Sequence, residues 1–239
     1  MENAKVLLWD IETTWGLRPD LTNLLCIAYM WHGEDTVYTI SIQDSPTYPK
    51  DLRNDKYVVE EFLPIFNEAN NLVTWYGSKF DEPYVRARAA KHRLGGLQHV
   101  HHDDLWRTCR YEFSLSSNRL ENAAEFLGVE HEKEKLSHFV WHDATFGDQA
   151  AVRKIVHRCA VDVLLLDEVY EVMLPHIRSK MNVATVKERE FACPWCGSKN
   201  VIRNGKGYTA LTVWQKYQCK NCGAWPKGPS KGRTQGKLR

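Results

Sequence analysis

Two acidic residues interrupt an apolar stretch close to the beginning of the chain, in the segment LLWDIETTW at residues 7–15. This composition predicts a buried β-strand, in which alternate side chains share a face, so Asp10 and Glu12 would lie about 7 Å apart on one face. Burying two like charges costs free energy unless a cation neutralises them, and carboxylate oxygens suit Mg²⁺ or Mn²⁺. The alternative is that the strand ends at Trp9 and both acids are solvated.

A third acid, Asp162, lies in the segment CAVDVLLLDEVY, which predicts a helix. Helical spacing places Asp162 within an apolar stripe, three residues after Cys159 and four before Leu166. A carboxylate on such a stripe needs a partner, which is either a bound cation or the guanidinium group of a buried arginine.

Two further candidates carry less weight by themselves. Asp81, in KFDEPYV, lies in the first turn of a predicted helix, where the helix dipole also favours an acid. His157 precedes Asp162 by five residues, which sets the two side chains about 140° apart around a helix, so this histidine would flank a site at Asp162. Each residue is also explained as an ordinary surface or core residue.

The order of the predicted elements, βββαβαβαα, indicates an α/β fold. Three β-like runs, VLLWDIE, LLCIAYMW and TVYTISIQ, are joined by short turns and predict an antiparallel meander. Helices are predicted at YVVEEFLPIFNEA, at 79–93, at the residues before Gly128 and at 148–180. One strand is predicted between the first and second of these helices and another between the second and third. This order implies a mixed five-stranded sheet with helices on both faces.

Two histidine-rich segments are assigned no catalytic role. HVHHDDLWRTCRYEF is predicted to be extended, and SHFVWHDATFGD to be a loop that carries His138 and His142 at the surface. A second metal site in the first segment is the less favoured interpretation of its side chains, which are those of His99, His101, His102, Asp103 and Asp104.

Four of the seven cysteines form two C-x2-C pairs, in CPWCGSKN and CKNCGAW, separated by 22 residues and each followed by glycine. This spacing predicts one structural Zn²⁺ held by four thiolates, with no open coordination position. The segments between the pairs predict a hairpin, so the module resembles a zinc ribbon, and a redox role is the alternative. The predicted ligands are Cys193, Cys196, Cys219 and Cys222.

The charge is divided unevenly along the chain. Residues 191–239 contain ten Lys and Arg and no acid, a charge of +10, which leaves −8 on the rest of a chain whose net charge is +2. Basic residues interleaved with aromatic ones can bind phosphates while stacking on unpaired bases. The residues predicted to bind substrate in this way are Arg203, Lys206, Trp214 and Lys216. Docking to another protein is the alternative role of this module.

Taken together, D-x-E in the first strand, FD at a strand-to-helix turn and H-x4-D in a late helix resemble the DEDD 3′ to 5′ exonucleases of the ribonuclease-H-like superfamily. The H-x4-D motif points to the DEDDh, DnaQ-like branch, and the resemblance covers roughly residues 5–180. It implies that two Mg²⁺ or Mn²⁺ ions are bound and that His157 is the general base. The implied metal ligands are Asp10, Glu12, Asp81 and Asp162.

The resemblance also implies contacts of Thr13 and Thr14 with the terminal nucleotide. The chain departs from the family where Tyr76 and Gly77 replace a common His-Asn pair. The other branch of the superfamily has tyrosine four residues before the last aspartate, where this chain has Arg158, which favours His157 as the base.

The sequence therefore predicts a metal-dependent 3′ to 5′ exonuclease, with single-stranded DNA favoured and RNA possible as substrate. A structure-specific endonuclease and a catalytically silent nucleic-acid-binding or scaffold protein are the alternatives, and the ribbon could also bind a replication or repair protein. We expect a nuclease domain at 1–182, a linker at 183–190, the ribbon at 191–226 and a disordered basic tail at 227–239. No apolar run approaches the ~18 residues of a membrane span and no signal peptide is recognised, so we expect a cytoplasmic, reducing location without membrane association.

Overall fold

The computed structural model describes residues 5–129, 135–177, 182, 184, 190–209 and 211–231. Two compact units divide the chain: Lys5–Val172, and a second unit that includes the residues from Met173 onward. Most of the predicted linker and residues 232–239 of the predicted tail lie outside the described residues. Among the described helices, none is long and apolar enough to cross a membrane.

A mixed five-stranded sheet forms the centre of the first unit, which confirms the predicted fold class. The spatial order of the strands is β3-β2-β1-β4-β5. β1 pairs antiparallel with β2, and β2 with β3, whereas β1, β4 and β5 run parallel. The strands are β1 (Val6–Thr13), β2 (Leu24–Trp31), β3 (Tyr38–Ser41), β4 (Asn71–Thr74) and β5 (His101–Asp104).

Helices connect and cover the strands. They are α1 (Lys56–Glu68), α2 (Asp81–Lys91), α3 (Leu105–Thr108), α4 (Leu120–Leu127), α5 (His138–Thr145) and α6 (Gln149–Met173). Short 3₁₀ turns occupy Ile42–Asp44 and Leu174–His176, and a π-helical turn, Cys109–Phe113, continues α3.

The two faces of β1 meet different helices. Trp9 is fully buried and packs on α1, with its ring centroid 5.1 Å from that of Phe62 and 5.8 Å from that of Phe66. The opposite face, which carries Asp10 and Glu12, is covered by α6 through Cys159. Because side chains alternate along a strand, the apolar face of β1 forms the core while its acidic face meets a second helix.

A buried ion pair fixes α2 against the sheet. Asp55 is fully buried and accepts hydrogen bonds from the guanidinium group of Arg88 (2.7 and 2.6 Å) and from the backbone N–H of Leu24 (2.8 Å). A ring nitrogen of His92 lies 2.6 Å from the same carboxylate. These contacts join the last turn of α2, the start of β2 and the segment before α1.

Two segments differ from the sequence prediction. The segment predicted to be extended from His99 onward is a strand only at His101–Asp104 and then becomes helical up to Phe113. The predicted loop that carries His138 and His142 is α5, whose N-terminus is capped by the side chain of Ser137. Both helices are short, so neither offers enough turns for helical periodicity to be recognised in the sequence.

The second unit contains a three-stranded antiparallel sheet, β6 (Val201–Tyr208), β7 (Val213–Cys219) and β8 (Lys227–Lys231), in the order β6-β7-β8. The predicted hairpin is confirmed as β6 and β7. Residues 227–231, which the sequence assigned to a disordered tail, form β8 instead. Pairing with the free edge of β7 satisfies backbone groups that would otherwise remain exposed, and composition alone does not reveal this pairing.

Candidate active site

The acidic face of β1 lies against α6. The thiol of Cys159 lies 3.5 Å from the backbone oxygen of Asp10 and 3.6 Å from its Oδ2. Asp162 follows Cys159 by three residues, about one helical turn, so the same face of α6 carries its carboxylate to β1. Carboxylate oxygens of Asp10, Glu12 and Asp162 lie within 4.8 Å of one another.

Asp81 joins these three residues from the first turn of α2. Its Oδ1 accepts the backbone N–H of Ile11 at 3.2 Å, beyond the last residue of β1 that pairs with β4. One pocket of about 220 Å³ is lined by all four predicted acids, Asp10, Glu12, Asp81 and Asp162. The structure thus brings together carboxylates that are separated by up to about 150 residues in the chain. Their hard oxygen atoms form a donor set suited to Mg²⁺ or Mn²⁺.

Asp104, at the end of β5, fixes the turn that delivers Asp81. Its carboxylate accepts the backbone N–H groups of Tyr76 (2.9 Å) and Ser78 (3.2 Å) and the hydroxyl of Ser78. The turn between β4 and α2 is therefore anchored to the neighbouring strand. The sequence shows an acid at this position but not its partners, which lie almost 30 residues earlier in the chain.

The histidines of β5 are engaged in the framework around this turn. His102 bridges the hydroxyl of Thr74 (2.8 Å) and Oε2 of Glu82 (2.9 Å). His101 lies 3.0 Å from Oδ1 of Asp103. Within the described part of the chain, the groups of side chains able to hold a metal ion are the four-cysteine cluster and the acidic cluster, and β5 contributes to neither.

Burial and mutual repulsion perturb the acidic pocket. Burial, followed by the charges of Asp81, Asp162 and Glu12, raises the pKa of Asp10 well above its ordinary value. Burial also raises the pKa of Asp81 to about 7, with smaller contributions from the charges of Asp104 and Glu12, although backbone N–H groups act in the opposite direction. The metal-free pocket therefore holds protons at a pH where isolated carboxylates would have lost them, and a divalent cation would replace those protons.

We expect Mn²⁺ to stabilise the protein more at about pH 8 than at about pH 6. The folded-state pKa values of Asp10 and Asp81 lie above the ordinary value, so the metal-free fold has their contribution to stability at low pH and loses it as the pH rises. For Asp81 this loss is complete only above a pH of about 7. Bound cations remove that loss. The measurement is the Mn²⁺-induced change in Tm at the two pH values. Asp10→Asn is the matched control, and an equal change at both pH values would contradict the expectation.

The helix α5 contributes a residue that the sequence prediction missed. Nε1 of Trp141 donates a hydrogen bond to Oε2 of Glu12 at 3.1 Å. Thr145, one turn later, accepts the backbone N–H of Trp15 at 3.0 Å. These bonds connect α5 to the end of β1, so the indole orients one of the carboxylates in the pocket. The available sequence signal was Ser137, a preferred N-cap residue.

His157 and Arg158 point in different directions from α6. The side chain of His157 is exposed and lines neither the acidic pocket nor the cleft beside it. Arg158 lies one turn before Asp162, with its Nε 3.8 Å from Oδ2 of Asp162 and 3.9 Å from Oε1 of Glu12. Because α6 is continuous from Gln149 to Met173, five residues turn His157 about 140° away from Asp162.

A large cleft adjoins the acidic pocket and shares four lining residues with it, Ile11, Glu12, Phe80 and Glu121. Its volume of about 1340 Å³ exceeds the ~300–1,000 Å³ of a pocket for a small ligand. Its wall includes the aromatic rings of Trp15, Phe80 and Trp141. The cleft is thus large enough for a chain-like ligand and offers rings on which bases could stack.

The two predicted nucleotide-binding threonines line this cleft, but their hydroxyls are engaged within the chain. Thr13 donates to the backbone oxygen of Gly16 at 2.9 Å. Thr14 accepts the backbone N–H of Asn23 at 3.1 Å. Both residues are buried, and their hydroxyls stabilise the loop after β1.

In the second unit, the four cysteines converge. Sγ of Cys193 lies 3.7 Å from that of Cys222, and the same distance separates the sulfurs of Cys196 and Cys219. These distances are too long for disulfides, and they match the edge of about 3.8 Å in a tetrahedron of thiolates at ~2.3 Å from a central Zn²⁺. All four sulfurs lie within 4.8 Å of one another. The donor set and spacing therefore fit one zinc ion.

Each cysteine pair ends in a tight turn. Gly197 and Gly223 have φ values of 70° and 74°, a conformation that glycine adopts without a steric penalty. Their backbone N–H groups donate to the backbone oxygens of Cys193 (2.8 Å) and Cys219 (3.1 Å). Burial alone would raise the pKa of the Cys219 thiol, but backbone N–H groups of Cys222 and Asn221 hold it below its ordinary value. The second turn thus favours a thiolate at Cys219, whereas burial raises the pKa of the Cys193 and Cys222 thiols in the absence of metal.

The basic residues of the ribbon are exposed, but its tryptophans differ in accessibility. Trp214 is only partly exposed and lies flat against Gly207, where a Cβ atom would come within 2.2 Å of the ring. The ammonium group of Lys227 lies 5.1 Å from the Trp214 ring centroid. Trp225 is 48% exposed, with Lys216 6.0 Å from its centroid. Trp214 is therefore mainly a packing residue, and Trp225 is the more accessible ring. Arg203, Lys206 and Lys216, which were predicted to bind substrate, are exposed.

Comparisons with known proteins agree with this architecture. The model of the family RNase_H_2, described as RNase_H superfamily, matches residues 7–174. A search of curated proteins finds no match. Among solved structures, the chain is similar to the family B DNA polymerase from the hyperthermophilic archaeon Pyrobaculum calidifontis, with a TM-score of 0.54 and 15% sequence identity. The match covers 88% of this chain and 32% of the polymerase, so the chain spans about a third of that protein and the likeness concerns the fold.

Proposed function

Since this chain belongs to the RNase H superfamily, as the family match over residues 7–174 shows, we propose that it is a metal-dependent nuclease that hydrolyses phosphodiester bonds. The observation that carries the proposal is the convergence of carboxylates from β1 and α6 within 4.8 Å, with Asp81 in the same pocket. These acids come from distant segments of the chain and meet at one place. Their mutual repulsion there costs free energy unless cations bind.

The residues that would hold two Mg²⁺ or Mn²⁺ ions are Asp10, Glu12, Asp81 and Asp162. When bound, such ions lower the pKa of a water molecule and neutralise charge on a phosphate undergoing substitution. The chain itself holds the carboxylates in place: Trp141 orients Glu12, and the N–H of Ile11 orients Asp81. The proposal assigns no proton transfer to His157, because this side chain lies on another face of α6.

We further propose that the enzyme is a 3′ to 5′ exonuclease that acts on unpaired strands, with single-stranded DNA preferred over RNA. The acidic motifs of the sequence support the 3′ to 5′ direction, because they resemble those of the DEDD exonucleases. The cleft beside the carboxylates supports the unpaired strand, because stacking on aromatic rings requires bases that are not already stacked in a duplex. Trp15, at 57% exposure, is the most accessible of the three rings.

We assign substrate retention to the ribbon. Its Arg203 and Lys206 on β6 and its Lys216 on β7 are exposed, and Trp225 offers a ring for a base. A basic module would offset the repulsion between nucleic acid and the acidic remainder of the chain. Docking of the ribbon to a replication or repair protein is the alternative.

The test compares linear with circular single-stranded DNA in Mg²⁺ or Mn²⁺. An exonuclease shortens a linear strand labelled at its 5′ end from the other end and leaves the circle intact. A phosphorothioate linkage at the 3′ end should block the reaction, whereas the same linkage at the 5′ end should not. Linearisation of the circle would instead identify an endonuclease, and no cleavage of either DNA would leave only a binding function.

A further inference from the structure

Arg158, a residue of the cleft, contacts carboxylates of the adjoining acidic pocket. The guanidinium group of Arg158 lies 3.8 Å from Asp162 and 3.9 Å from Glu12, and its other branch lies 3.5 Å from Glu121. The central carbon of this guanidinium group lies 5.9 Å from the centroid of the Trp141 ring. The side chain is 21% exposed, so water only partly screens it from these charges.

The position of Arg158 conflicts with that of a divalent cation. Glu12 and Asp162 belong to the group of carboxylates able to hold a metal ion, and Arg158 contacts both. Arginine stays protonated at any pH that proteins experience, so its charge cannot be removed to accommodate the metal. A bound cation and the guanidinium group would repel each other across a few ångströms, and the guanidinium group would have to leave the carboxylates.

The cleft offers the place to which it would move. Arg158 lines the cleft as well as contacting the carboxylates, and its long side chain can turn between them. A phosphodiester chain in the cleft would present oxygens there. The planar guanidinium group can donate two parallel hydrogen bonds to one phosphate. Such bonds are shorter than the contacts of 3.5 to 3.9 Å that it makes with the carboxylates.

We propose that Arg158 is a positioning residue that exchanges partners: it neutralises Glu12 and Asp162 in the absence of metal and binds a substrate phosphate once metal is bound. The inference rests on the proposed nuclease function. Its consequence is positive coupling, because nucleic acid that withdraws Arg158 from the carboxylates raises their affinity for metal, and the metal raises the affinity for nucleic acid by the same factor. Metal would therefore be held firmly only when substrate is present.

The test is the affinity for Mn²⁺, measured by the electron paramagnetic resonance signal of free Mn²⁺, with the zinc site filled. Arg158→Met should bind Mn²⁺ about tenfold more tightly than the wild type in the absence of DNA, since one neighbouring positive charge is removed. A non-hydrolysable phosphorothioate oligonucleotide should tighten Mn²⁺ binding about tenfold more in the wild type than in Arg158→Met, where only the direct attraction between metal and phosphate remains. Arg158→Lys, which keeps the charge, should resemble the wild type in the absence of DNA.

The controls separate this inference from the nuclease proposal. Arg153→Met changes an exposed arginine of the same helix and should leave Mn²⁺ affinity unchanged. Tighter Mn²⁺ binding is the diagnostic result, because structural damage can weaken the site but has no means to tighten it. Unchanged or weaker Mn²⁺ binding by a folded Arg158→Met protein would overturn the role of Arg158. If Asp162→Asn binds Mn²⁺ as the wild type does, the acidic cluster is not the metal site, and the nuclease proposal fails together with the inference.

Discussion

Replacing Asp162 by asparagine is expected to slow phosphodiester hydrolysis about a thousandfold, equivalent to about 4 kcal/mol of transition-state stabilisation. The substitution keeps the shape of the side chain and removes one negative charge from the metal-binding group. The fold should survive, because Cys159 and the apolar stripe of α6 still pack against β1. One fewer like charge beside Asp10 should even raise the Tm of the metal-free protein.

The measurement is the initial rate on single-stranded DNA, together with the Tm of each variant. Asp167→Asn is the matched control, since this acid lies on the same helix and pairs with His32 at 2.8 Å, away from the pocket. His157→Ala should also keep a rate within about threefold of the wild type, the scale of a side chain that touches no reacting group. Wild-type turnover by Asp162→Asn would contradict the assignment of the acidic pocket.

Replacing Cys219 by serine is expected to release zinc and unfold the ribbon. The buried residues at the centre of this unit are Cys193, Cys219 and Ala224, so the ligands themselves make up most of its core. A core of this size cannot offset the loss of chain entropy, whereas zinc binding to four thiolates contributes ~10–16 kcal/mol. The sheet β6-β7-β8 should therefore be lost with the metal.

Zinc content by mass spectrometry and the amide NMR spectrum of the ribbon residues measure this effect. The unit Lys5–Val172 should remain folded, and binding of the whole chain to single-stranded DNA should weaken about tenfold if the ribbon retains substrate. Cys109→Ser is the control, because this buried cysteine belongs to the other unit and bonds to Asn118 at 3.4 Å. A Cys219→Ser protein with full zinc content and an intact ribbon would contradict the account.

The part of the site that obeys simple periodicity could be predicted from the sequence. Alternation along β1 placed Asp10 and Glu12 on one face, and helical spacing placed Asp162 on the buried stripe beside Cys159. Asp81 was expected in the first turn of a helix, and it lies there. These predictions depended only on the geometry of regular elements, which the chain follows closely at these positions.

The rest depended on contacts between distant segments. Nothing in the sequence indicates that Trp141 bonds to Glu12, because α5 is a helix of eight residues with too few turns to show a period. The sequence already placed His157 and Asp162 in one helix about 140° apart, and only the family resemblance of the H-x4-D pattern assigned His157 the role of base. Since α6 begins at Gln149, Arg158 reaches the carboxylates and His157 does not.

The hydrogen bonds that hold the turn before Asp81 could not be predicted from the sequence for the same reason. Asp104 had been grouped with neighbouring histidines as a candidate metal ligand, whereas its oxygens accept N–H groups of Tyr76 and Ser78. Such hydrogen bonds between parallel neighbouring strands depend on register, which is set only when the sheet forms. β8 is a comparable case, since its partner strand determines that a Gly- and Lys-rich segment is extended.

The central claim is that the acidic pocket is a metal-dependent nuclease centre, and the most direct measurement is the fate of a single-stranded DNA oligonucleotide labelled at its 5′ end. The zinc-loaded protein is incubated with it in Mg²⁺, in Mn²⁺ or without divalent cations. The account predicts a ladder of shortened products with either cation, none without cations, and none with Asp162→Asn. Intact oligonucleotide under every condition, with the protein folded and bound to it, would contradict the claim and leave a nucleic-acid-binding protein.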